Sequence, residues 1–155
     1  MAMDLYLQID GVPGESMDRW HPDDIQVLSW SWGISHVPGP GGLAAQSLSL
    51  TKYLDRATPV LLAACHAARR FERATLVATR AGDRPLDRLL VQMEGVCVDS
   101  VSLGGSGSED SPTESISLHF EAVTVVYVAQ QNDGSPGARH QTERLAMPTE
   151  GAAPT

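Results

Sequence analysis

The stretch VLSWSWGIS, Val27 to Ser35, sets two of the chain's three tryptophans two residues apart with a serine between them. In a strand successive side chains point to opposite faces. Read that way, Leu28, Trp30, Trp32 and Ile34 share one side, and Ser29, Ser31, Gly33 and Ser35 share the other. One face is large and apolar, the other small and polar, which is the pattern of a half-buried strand.

The same alternation runs outward in both directions. DLYLQI puts Leu5, Leu7 and Ile9 on one side; the turn-rich GVPGESMDRWHPDD follows, and the pattern resumes at Ile25. SHVPGPGGLAAQ reads as a loop. QSLSLTKYL then places Leu48, Leu50 and the stem of Lys52 together, and ATLVATR and LDRLLVQMEGVCVDSVSL are further strands, with Gly95 marking a bulge or bend. After the polar loop GGSGSEDSP, TESISLHFEAVTVVYVA aligns Ile116, Leu118, Phe120, Ala122, Val126 and Val128. One segment differs: RATPVLLAACHAARRF offers Thr58 as N-cap, Pro59 at the first helical position, and Leu61, Leu62, Cys65 and Ala68 at helical spacing. The expectation is a mainly β fold, an antiparallel β-barrel of two sheets with one flanking α-helix at about 58–71. Residues 1–129 form the barrel domain, and 130–155, where alternation gives way to a polar segment containing Gly, Pro and Ala, read as a disordered tail.

With 155 residues, 42% of them hydrophobic, the chain suits one domain with one core. A net charge of −8 disfavours nucleic acid or an anionic membrane as partner. Six arginines between Arg69 and Arg88 are spread over different faces and loops. Cys65 and Cys97 are isolated, so neither a disulfide framework nor a zinc site is expected. The opening MAMDLYLQIDG has no basic region followed by an apolar one, and no run of about 18 apolar residues occurs. Synthesis in the cytoplasm, and any export without a cleaved signal peptide, is the expectation.

Catalytic signatures do not assemble. GGSGSED lacks the glycine pattern and following helix of a nucleophile elbow, and the glycines of VPGPGG open no helix for phosphate. The five histidines have no paired metal spacing, HPDD at His21 to Asp24 reads as a solvated turn, and Glu109 and Asp110 lie where nothing would desolvate them. No catalytic, cofactor or metal residue is therefore assigned, and the chain is read as no enzyme.

Four stretches taken together resemble one family. GVPGES (Gly11 to Ser16), VLSWSWGIS, LSLTKYLDRATP (Leu48 to Pro59) and SVSLGGSGSEDSPTESISLHF (Ser100 to Phe120) are similar, in this order, to the haemolysin-coregulated protein (Hcp) family of type VI secretion systems. The resemblance implies a tube subunit: homohexameric rings, stacked, expelled by a contractile sheath behind a spike, with effector proteins in the lumen. On that footing Ser29 and Ser31 are expected to face the lumen and its cargo, and Leu28, Trp30 and Trp32 the barrel core. Lys52, Asp55 and Arg56, beside Tyr53 in the turn before the helix, are expected to make ring or stacking contacts; Asp55 and Thr58 equally read as organisers of the helix start. Two other classes compete. A monomeric lipocalin-like small-molecule-binding barrel needs an unfilled inward face, and a hydrolase would use Ser106 or Ser108 with His119.

Overall fold

A computed structural model describes residues 3–82 and 84–148. The elements are β1 (Met3–Ile9), β2 (Ile25–Val27), β3 (Ser29–Ser31), β4 (Ile34–His36), β5 (Leu43–Ala45), β6 (Leu48–Tyr53), α1 (Ala57–His66), β7 (Arg70–Arg80), β8 (Leu86–Gly104), β9 (Thr113–Gln130), β10 (Pro136–Gln141) and β11 (Leu145–Ala146). All pairings are antiparallel. The sheet runs β2-β1-β7-β8-β9-β6-β3, with β10 and β11 also on β9, while β4 and β5 form a separate hairpin. The two ends of that path, β2 and β3, are separated in sequence by Leu28 alone, whose N–H donates to Thr51 O at 2.7 Å. The sheet therefore curls until its first and last strands meet in the chain, a barrel left without a ladder along one seam. The expected mainly β, antiparallel architecture with one helix is what the chain adopts; the second sheet is no more than the β4–β5 hairpin.

Leu7, Ile25, Leu48, Leu76, Met93 and Leu118 are almost wholly buried inside the curl. The inward face that a lipocalin-like reading needs empty is filled. At Gly95 the backbone takes φ +62°, yet Glu94 pairs with Ala122 and Val96 with Phe120, so the register is kept. Buried positions nevertheless pass from Met93 to Val96 on β8 and from Phe120 to Val123 on β9. The residue is a bend, and the freedom of glycine is needed there because a φ of +62° is left-handed backbone that residues with a Cβ rarely adopt. A true bulge occurs at Asp99, the extra residue where the register shifts between Val98 and Ser100.

Three expectations are corrected. The helix ends at His66 instead of about 71, because Ala68 turns left-handed (φ 50°) and Arg69 N–H donates to Ala64 O at 2.9 Å, a closing motif that sends Phe71 into strand β7. Thr58 lies inside the first turn and is not the N-cap. The segment from 130, read as disordered, returns to the sheet: Arg139, His140 and Gln141 pair with Val128, Tyr127 and Val126, and Leu145 and Ala146 with Val123 and Ala122. A polar segment needs no core of its own when an unpaired edge offers it backbone partners. The rest of that expected tail, 149–155, lies outside the described residues.

Candidate functional site

The Trp/Ser strand is not continuous. Ile25 and Val27 are buried against β1, then Leu28 carries the chain across to β6, and burial moves from odd positions to even ones. Trp30 and Trp32 pack half-buried against the core, Trp32 with its ring centroid 5.6 Å from that of Phe120. Leu28, assigned to the core from parity, is instead 46% exposed, because it sits at the step between two partners where the alternation is broken. Ile34 likewise leaves the core face and lies exposed on the β4–β5 hairpin.

Ser29 and Ser31 are exposed, and pairing extends them into an array. Ser29 pairs with Thr51, Thr51 with Ser115 and Ser115 with Ser102; Ser31 pairs with Ser49, Ser49 with Ser117 and Ser117 with Ser100. Directly paired residues share a face, so two rows of four hydroxyls cross β3, β6, β9 and β8. Behind them lies the apolar row Trp30, Leu50, Ile116 and Val101. Strands spaced about 4.8 Å apart make this a close-set surface of small, uncharged groups that both donate and accept hydrogen bonds. Sequence reading found only its first strand. SLSLT, SVS and SIS carry the same alternation and could have supplied the rest.

Lys52 is not a contact residue: it is fully buried opposite Glu114, also buried. Its Nζ donates to Asp55 Oδ1 at 2.9 Å and Tyr53 O at 3.0 Å, and ion-pairs with Glu114 Oε1, which also accepts from Thr58 Oγ1 at 2.7 Å. Asp55 Oδ1 accepts from Ala57 N–H at 2.9 Å, and Asp55 N–H donates to Thr58 Oγ1 at 3.1 Å. The side chains of Lys52, Asp55 and Thr58 are thereby committed to joining β6, β9 and the start of α1, as the helix-organising reading expects for Asp55 and Thr58. Arg56 is half exposed, with Nε on Gly14 O at 2.6 Å and a guanidinium nitrogen 3.0 Å from Asp23.

Two polar clusters lie elsewhere. HPDD is not a solvated turn at its histidine: His21 is 5% exposed, stacked on Tyr6 at 4.5 Å, with its ring nitrogens 3.1 Å from Asp24 and 2.9 Å from Asp87. Burial, and after it the Asp18 and Asp4 carboxylates, push the Tyr6 hydroxyl up to about 12. Bulged Asp99 accepts from Ser47 Oγ at 2.7 Å and pairs with His119 Nδ1, beside a cleft of about 180 Å³ that also touches Phe120 and Met147. Here the serine is on the carboxylate and not on the imidazole, which is not the order of a serine triad. Ser106 and Ser108 bond to each other in the exposed β8–β9 turn. No group of three metal-binding side chains occurs among the described residues.

Known proteins share the fold that carries these residues. A family model described as "Type VI secretion system effector, Hcp" matches residues 6–127. Protein hcp1 of Pseudomonas aeruginosa is 42% identical over 144 residues, 87% of this chain and 89% of that protein. The crystal structure of Hcp1 from Salmonella typhimurium is similar with a TM-score of 0.78 at 34% identity, over 91% of this chain and 94% of that one. A type VI secretion system effector from Yersinia pestis gives 0.80 at 28% identity, over 93% and 100%.

Proposed function

We propose that this chain, which belongs to the Hcp family of type VI secretion system proteins, is the structural subunit of the secreted tube, forming stacked homohexameric rings. A contractile sheath expels the tube behind a spike, and effector proteins travel in its lumen; the chain leaves the cell by that route and catalyses nothing. The observation that carries this reading is the double row of hydroxyls across β3, β6, β9 and β8. A lumen wall must hold cargo and then release it. Small neutral hydroxyls stay hydrated, hydrogen-bond to many surfaces and offer no apolar patch on which a protein would lodge. Ser29 and Ser31 form the β3 edge of that wall. An acidic chain keeps unassembled rings soluble.

Native mass spectrometry with negative-stain imaging tests the reading directly. Hexamers and uniform rings are expected, and a chain that stays monomeric at all concentrations overturns it.

A further inference from the structure

One step beyond the hydroxyls the outward face changes character. Ser117 pairs with Ser100, and the next outward residue of β9, His119, pairs directly with Cys97, which on its other side pairs with Arg70 of β7. Directly paired side chains share a face, with Cβ atoms about 4.5–5.5 Å apart. The partly exposed Cys97 thiol therefore stands between an imidazole and a guanidinium. The His119 side chain is 37% exposed, and its Nδ1 is held by Asp99 Oδ1. With Nδ1–H given to the carboxylate, the basic nitrogen of the ring is Nε2. Carboxylate, imidazole and thiol follow one another in the order that activates a cysteine.

The charged groups around the thiol are Arg70 and Glu72 from β7, Asp99 from β8, and His119 and Glu121 from β9. Two of the carboxylates are engaged. Glu121 lies over Gly95, one row away, and accepts from Arg70 Nε and a terminal nitrogen at 3.1 Å each; Asp99 holds His119 and the Ser47 hydroxyl. The Arg70 guanidinium is held above its ordinary range, first by Glu121 and, after it and Glu72, by the Cys97 sulfur. Such an interaction is mutual and favours a negatively charged sulfur. Cys65 is the contrast within the same chain. It lies in α1, packed against the core, with its thiol directed at Asp99 O at 3.6 Å, the setting of an inert structural cysteine. At His119 the cleft of about 180 Å³, with Gln46, Ser47 and Met147 on its walls, gives room for a small reagent.

We propose that Cys97 is a covalent modification site, whose thiolate, formed by passing the thiol proton to His119 Nε2, attacks one sulfur of a small disulfide. A bond forms between Cys97 Sγ and that sulfur, the reagent's own S–S bond breaks, and the departing thiolate takes the proton from His119. The protein thiol is oxidised to a mixed disulfide while the other half of the reagent is reduced to a thiol, so the disulfide is the oxidant. The site stands independently of the tube reading. On that reading, the adduct sits one row from the hydroxyl wall.

The test uses the full chain and hydroxyethyl disulfide, with adducts placed and timed by mass spectrometry and the fold followed by circular dichroism. At neutral pH Cys97 should be modified roughly tenfold or more faster than Cys65. His119→Gln should slow Cys97 by roughly threefold or more and move the midpoint of the rate's rise with pH upward, with the fold unchanged. Arg70→Gln should slow it by a smaller factor. Cys97→Ser should abolish the fast adduct and Cys65→Ser should leave it. Equal rates at the two cysteines, or modification of Cys65 first, would overturn the proposal. So would a Cys97 rate that neither His119→Gln nor Arg70→Gln changes.

Discussion

Thr51 and Lys52 are neighbours on β6 and teach opposite lessons. Thr51 joins the hydroxyl rows on the outer face, while Lys52, one residue on, is fully buried against Glu114. Both are polar, and parity alone says only that they face different ways. The outer face is tolerant because water completes its hydrogen bonds. The inner position is intolerant because a buried charge without its partner has nothing to replace it. The proposed lumen wall lies on the tolerant face, where side chains can change without unfolding the sheet.

Breaking the inner pair should have the largest effect. Glu114→Ala leaves the buried Lys52 ammonium with Asp55 as its one remaining carboxylate and should cost about 3 kcal/mol in urea unfolding, whereas Lys52→Met with Glu114→Leu should recover most of it. Next comes Tyr6, on the buried β1 position beneath His21. Its folded-state pKa of about 12 stands above the ordinary 10, so the stabilisation it gives is full below pH 10 and lost as pH rises through 12. That loss should be on the order of 2 kcal/mol in alkaline unfolding, and Tyr6→Phe should remove the pH dependence.

Asp55→Ala removes the acceptor for Ala57 N–H and one partner of Lys52, and should cost about 1–2 kcal/mol with hexamers retained. Unchanged stability together with weakened ring stacking would return Asp55 to the contact role expected from sequence. The smallest stability change belongs to Ser31→Gln, within about 0.5 kcal/mol. In that variant intact rings should retain an effector of the same apparatus differently from wild type. Equal retention would separate Ser31 from the cargo and leave the hydroxyl face as a surface without that task.

Much of this was legible because a strand repeats every two residues and burial on one side leaves that period in the sequence. β1, β6, β8 and β9 and the outward serines of β3 follow from it, and the helix from the one segment where Pro59 and a helical spacing replace it. Period says nothing of partners, so the serines of β8 and β9 could be read as polar positions but not as one surface with Ser29 and Ser31. It also fails wherever a strand changes neighbour, which is why Leu28 was misplaced. The polar composition after 130 hid β10 and β11, since an edge strand draws on backbone hydrogen bonds that any residue except proline can supply.

The sequence by itself determined the long strands, their two-faced character, the single helix and, through four ordered motifs, the family. Tertiary structure alone decided what meets what. Glu114 reaches Lys52 from 62 residues away, Asp99 is aimed at His119 and Ser47 by a bulge, and the serines of β3 join those of β9 and β8 in one surface through β6. The reason is physical: alternation is a local consequence of backbone geometry, whereas register is set by the packing of the whole sheet at once.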